Sequence, residues 1–99
     1  MKQMDKKIIL DKLKEYKAKS PYKAVIKDLG LFGSYANGNN TESSDVDVFV
    51  KLKPARMFDL AGIKNDLEEL LGKKVDVIAL RNSMNKYLKK EIKDHGLHA

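Results

Sequence analysis

A small α/β (α+β) domain, with helices packed against one sheet, is the fold class this sequence predicts. Three observations predict it. Apolar residues recur at helical spacing in three lysine-rich or leucine-rich segments, three short runs are rich in valine and isoleucine, and the two kinds of segment interleave as α-β-β-α-β-α. At 99 residues, 42% apolar and 34% charged, the chain has material for a single domain, residues 1–99, with one modest core.

The first helix is expected from about Met4 to Lys17, where Met4, Ile8, Ile9, Leu13 and Tyr16 fall on one stripe among lysines. Ser20-Pro21 breaks it. Ala24 to Phe32 reads as a strand that Gly33 ends, with a short helix expected just after that glycine. Gly38 to Ser44 is a polar, turn-forming loop. Asp45 to Lys53 is the clearest strand, because Val46, Val48 and Val50 alternate with Asp45, Asp47, Phe49 and Lys51 before Pro54 stops it. Asp59 is a natural cap for a helix carrying Leu60, Ile63, Leu67, Leu70 and Leu71, with Gly72 at its C-terminal end. Val75 to Leu80 is the third strand. Asn82 or Ser83 is expected to cap a last helix with Met84, Tyr87, Leu88 and Ile92 inward, ending near Gly96. His95 and His98 then fall in a frayed, solvated tail.

Composition narrows the function. The chain has no cysteine, which excludes a disulfide scaffold, a thiol nucleophile and a cysteine-ligated zinc site. No apolar run approaches the ~20 residues of a membrane span, and no secretory leader is visible, so a cytoplasmic protein without a membrane partner is expected. The net charge of +6 comes from lysine, with only two arginines, Arg56 and Arg81. Readers of base sequence lean on arginine for bidentate guanine contacts. The dispersed lysines therefore read first as a solvated face, and direct nucleic-acid binding ranks behind it.

Three features carry chemistry. Gly33-Ser34 follows an apolar strand and opens onto Tyr35-Ala36-Asn37-Gly38; a glycine there admits a ligand close to the backbone, and the free N–H groups of a following helix suit phosphate. Asp45 and Asp47 lie two apart on a strand and so share a face, where two carboxylates repel unless a cation lies between them. Mg²⁺ accepts one or two carboxylates and completes its shell with water and substrate phosphates. Asp76 stands alone among Val75, Val77 and Ile78; if its strand lies beside the Asp45–Lys53 strand, three carboxylates converge. Such a patch can hold two metals ~3.5–4 Å apart, the spacing used for in-line phosphoryl displacement. Taken singly, each feature has an ordinary structural explanation: a strand-ending turn, a solvent-facing loop end, and an edge strand.

Their order and spacing are more specific. The run Gly-Ser-x-Ala-x-Gly, a polar loop, Ser-Asp-x-Asp and a later Val-Asp-Val-Ile resembles the minimal nucleotidyltransferase family of the polymerase-β superfamily, over Leu31 to about Leu80. The resemblance implies a nucleotidyltransferase-like small mixed sheet flanked by helices, in the order α-β-(α)-β-α-β-α. It implies that Gly33 and Ser34 bind the nucleotide's phosphates and that Asp45, Asp47 and Asp76 are the catalytic metal ligands. Asp76 would also be the base toward the acceptor hydroxyl. Mg²⁺, as two ions, and ATP follow as cofactor and substrate. The chain departs from the family at Asn37, where arginine or lysine is usual.

No segment after the third strand and its helix reads as an acceptor-gripping domain. Stand-alone members of the family resemble antitoxins paired with HEPN-domain ribonuclease toxins. The implied activity is transfer of AMP from ATP to a toxin tyrosine. The alternative expectation is a non-catalytic antitoxin that neutralises its toxin by binding. A nucleic-acid-binding repressor is the third reading.

Overall fold

The computed structural model describes residues 5–81 and 83–99. Helix α1 (Lys6–Lys19) begins where the Asp5 carboxylate accepts the Ile8 N–H at 2.9 Å. It runs about two residues later than its apolar stripe suggests, and Met4 and Asn82 lie outside the described residues. Strand β1 (Ile26–Phe32) leads directly into the short helix α2 (Gly33–Asn37), and strand β2 (Val46–Leu52) follows the polar loop. A kinked 3₁₀ segment over Pro54–Asp59 connects β2 to helix α3 (Leu60–Leu71). Strand β3 (Val75–Ala79), helix α4 (Lys86–His95) and a two-residue strand β4 (Leu97–His98) complete the order.

The four strands lie in the order β3-β2-β1-β4. β1 is antiparallel to both neighbours, whereas β2 and β3 are parallel and joined through α3. The sheet is therefore mixed, as a nucleotidyltransferase-like fold requires. No helix among the described residues is long and apolar enough to cross a membrane.

Strand alternation sorts the side chains into two faces. Leu29 and Leu31 of β1, Val46, Val48 and Val50 of β2 and Val75 of β3 pack against Ile9 and Leu13 of α1 and Ile63, Leu67 and Leu71 of α3. All of these but Leu71 and Val75 are wholly shielded from solvent, and those two nearly so. The opposite face carries a smaller cluster in which Phe32, Phe49 and Ile92 pack with Ile78, Leu80, Met84 and Leu88. Ile92 of α4 packs into that cluster. In the same row as Phe32, β2 and β3 carry Asp47 and Asp76 on this face.

Three local expectations are corrected. Asp59 precedes α3 but caps no N–H with its side chain, because the Arg56 guanidinium takes its carboxylate at 2.9 Å. α4 starts after Asn85, whose Oδ1 accepts the N–H groups of Tyr87 (2.8 Å) and Leu88 (3.3 Å); Ser83 lies too early for that role. The C-terminal tail is not frayed. Leu97 and His98 pair with Leu31 and Gly30, and the Ala99 N–H bonds the Leu29 carbonyl at 2.8 Å. His98 Nδ1 lies 2.9 Å from the Asp28 carboxylate and its ring meets Phe49 edge-on at 5.1 Å. Gly30 makes this possible: a Cβ there would collide with the Phe49 ring and the Leu97 carbonyl.

Candidate active site

The site is assembled from the ends of three adjacent strands. β1 finishes at Phe32, which is opposite Asp47 in the antiparallel register with β2. The next residue, Gly33, has φ +73, a left-handed conformation costly for any residue with a Cβ. A Cβ at Gly33 would also strike Asp47 Oδ2, so the carboxylate rests directly against the turn. Gly33 is thus required twice, by backbone conformation and by close approach. Ser34 follows at the start of α2, half-buried, while Tyr35 and Ala36 anchor that helix in the core.

Asp76 of β3 is the register partner of Asp47 of β2. The parallel pairing therefore puts both on one face, on neighbouring strands. Asp45 immediately precedes β2 and lies two residues from Asp47. Of the three, Asp47 is half-buried and Asp45 and Asp76 are exposed. Burial pushes the Asp47 carboxyl above its ordinary value, and the negative charges of Asp76 and Asp45 push it further in the same direction. The structure thus brings together Gly33, Asp45, Asp47 and Asp76, with Ser34 next to them in sequence.

These carboxylates face one another without closing on a point. Among the described residues, no three histidine, aspartate or glutamate side chains converge tightly enough to hold a metal as they stand. The donor set nevertheless suits a hard divalent cation: anionic oxygens only, two of the three side chains exposed and able to turn inward, and one whose proton affinity is raised by burial and then by its neighbours' charge. A cation there converts mutual repulsion into coordination.

Two lysines that composition could not single out lead into the strand that carries Asp76. Lys73 and Lys74 lie at the head of β3, where the Val46 N–H bonds the Lys74 carbonyl at 2.9 Å. Lys73 Nζ reaches the Glu42 carbonyl at 3.1 Å and lies 5.8 Å from the centre of the Tyr35 ring. The sequence signal was the Lys-Lys pair directly before Val-Asp-Val, whose placement depends on the β2–β3 pairing. Asn37, at the family's basic position, donates from Nδ2 to Glu91 Oε1 at 3.2 Å and ties α2 to α4.

Comparison with known proteins agrees with this geometry. Residues 6–98 match the nucleotidyltransferase domain family. A Methanocaldococcus jannaschii protein, provisionally named a protein adenylyltransferase, is 35% identical over 83 residues, which is 83% of this chain and 85% of that protein. A solved structure provisionally identified as a minimal nucleotidyltransferase is similar with a TM-score of 0.75 and 25% identity, covering 98% of each chain. A structure of a mutant MntA–HpeT toxin–antitoxin is similar with a TM-score of 0.60 and 25% identity, over 98% of this chain and 72% of that one. A mixed sheet that pairs Asp47 with Asp76 beside a glycine-serine turn, in a chain matched almost end to end, belongs to the nucleotidyltransferase domain family.

Proposed function

We propose that this nucleotidyltransferase is a Mg²⁺-dependent protein adenylyltransferase that moves AMP from ATP to a tyrosine hydroxyl of a HEPN ribonuclease toxin in the cytoplasm, and so acts as its antitoxin. The observation that carries the proposal is the register of Asp47 with Asp76 on parallel strands, with Gly33 against Asp47. The name of the M. jannaschii relative supports adenylyl transfer, and the likeness to a toxin–antitoxin structure supports the partner class.

In this proposal Gly33 and Ser34 receive the β- and γ-phosphates through backbone N–H groups and the Ser34 hydroxyl. Lys73 and Lys74 add positive charge at the same edge. Asp45, Asp47 and Asp76 would hold Mg²⁺, which supplies the charge that draws in the triphosphate and offsets the negative charge growing on the departing pyrophosphate. Asp76, the exposed member on the outer strand, takes the proton from the acceptor hydroxyl. The tyrosine oxygen then bonds to the α-phosphorus as the bond to pyrophosphate breaks, leaving AMP on the tyrosine through a phosphodiester. Alignment of hydroxyl and phosphorus is the protein's main contribution.

Incubation of the protein with its toxin, Mg²⁺ and α-labelled ATP is expected to label the toxin and abolish its ribonuclease activity. A toxin silenced without label would overturn the catalytic reading in favour of an antitoxin that acts by docking. The double variant D45N/D47N separates the same two readings, since docking survives it and labelling does not.

A further inference from the structure

The carboxylate face has a second feature at its far end. A groove enclosing about 360 Å³ opens between α4 and the C-terminal ends of β2 and β3. Its floor is apolar, formed by Leu80, Met84 and Ile92, and its walls are the cationic side chains of Lys51, Arg81, Lys89 and Lys93. All four cations are exposed. None of them forms an ion pair among the described residues; the ion pairs there involve Lys19, Arg56 and His98. The carboxylate of Asp28, across the sheet from Lys51, is held by His98.

The groove is aligned with the acidic cluster. Asp76, Ile78 and Leu80 alternate onto the same face of β3, so the cluster and the groove are about 13 Å apart at ~3.3 Å per residue. A polypeptide seated in the groove and continuing along β3 brings a side chain four or five residues away to Asp76. Four unpaired cations over an apolar floor attract a segment that offers carboxylates around an apolar side chain. A nucleic-acid backbone needs a continuous basic track, and an apolar floor offers it nothing.

We infer that this groove is the docking site for an acidic segment of the acceptor protein, placed so that the tyrosine to be modified reaches Asp76. The inference rests on the transfer reading for what happens at Asp76, but not for what binds in the groove.

The test uses the full chain and a random copolymer of glutamate and tyrosine as the probe. Calorimetry is expected to show binding that weakens as salt rises. The double variant K89E/K93E is expected to lose roughly tenfold in affinity. K14E/K64E, which makes the same charge change on exposed positions of α1 and α3, is expected to keep it. ATP binding is expected to be equal in all three proteins. Equal loss in both double variants would overturn the inference, as would tighter binding of single-stranded RNA than of the copolymer. Copolymer binding that responds only to K89E/K93E, in a protein that labels no tyrosine, would uphold the docking site while rejecting the transfer reading.

Discussion

The two faces of the sheet are built from the same three strands and obey opposite rules. On one, valine and leucine from β1, β2 and β3 are sealed under α1 and α3. On the other, the same strands alternate outward into Phe32, Phe49 and Ile78, which pack with α4, and into Asp47 and Asp76, which lie abreast of Phe32. The first face contributes cohesion through apolar burial, worth about 1.5–3 kcal/mol per large side chain. The second tolerates repulsion between carboxylates because the first holds the strands in place. Stability and chemistry are thereby divided between alternate residues of the same segments.

The largest expected effect is on chemistry. D47N should lower adenylyl transfer on the order of a thousandfold, by analogy with loss of a group that stabilises transition-state charge. It should also raise the melting temperature at neutral pH. Because burial and like charges raise the folded Asp47 pKa above its unfolded value near 3.8, the folded state binds the proton more tightly, and this group's contribution to stability falls as pH rises through that window. A thermal-melting series across acid and neutral pH should show a flatter profile for D47N than for the parent. A variant that melted lower at neutral pH would break the division between the faces.

L67A makes the reciprocal change. It removes a wholly buried side chain from the sealed face and should cost about 3 kcal/mol in denaturant titration, with turnover per folded molecule unchanged. G33A touches both faces' interests at once. It forces a Cβ into a left-handed turn at about 1–2 kcal/mol and displaces Asp47, so stability and transfer should fall together. Smallest is Y16F. The Tyr16 hydroxyl donates to Asp66 at 2.8 Å and joins α1 to α3; its loss should cost about 1 kcal/mol with no effect on transfer. Burial and the Asp66 carboxylate raise the Tyr16 pKa, so this contribution should be complete below pH 10 and be lost progressively above it, where the unfolded tyrosine ionises first.

Most of this arrangement is legible in the sequence. The alternation of Val46, Val48 and Val50 with Asp47, and of Val75 and Val77 with Asp76, already separated the two faces, and burial then followed. The conditional step was whether β3 lies beside β2, a long-range pairing that no local pattern encodes. Signals were least readable where a short contact decided the outcome. β4 is two residues long, has no periodicity to detect, and depends on Gly30 and Phe49, far away in sequence. The start of α4 was misplaced because Asn82, Ser83 and Asn85 all have capping side chains, and only Asn85 stands next to the helix. Lys73 and Lys74 could not be distinguished from the other lysines until the head of β3 was placed.

The parallel register of β2 and β3 has one further consequence. A slip of a single position would turn Asp76 toward α3, but it would also turn Val75 and Val77 into water and forfeit their burial. Misalignment of the acids is therefore also misfolding. Any copy of this chain that survives cellular quality control arrives with Asp47 and Asp76 abreast.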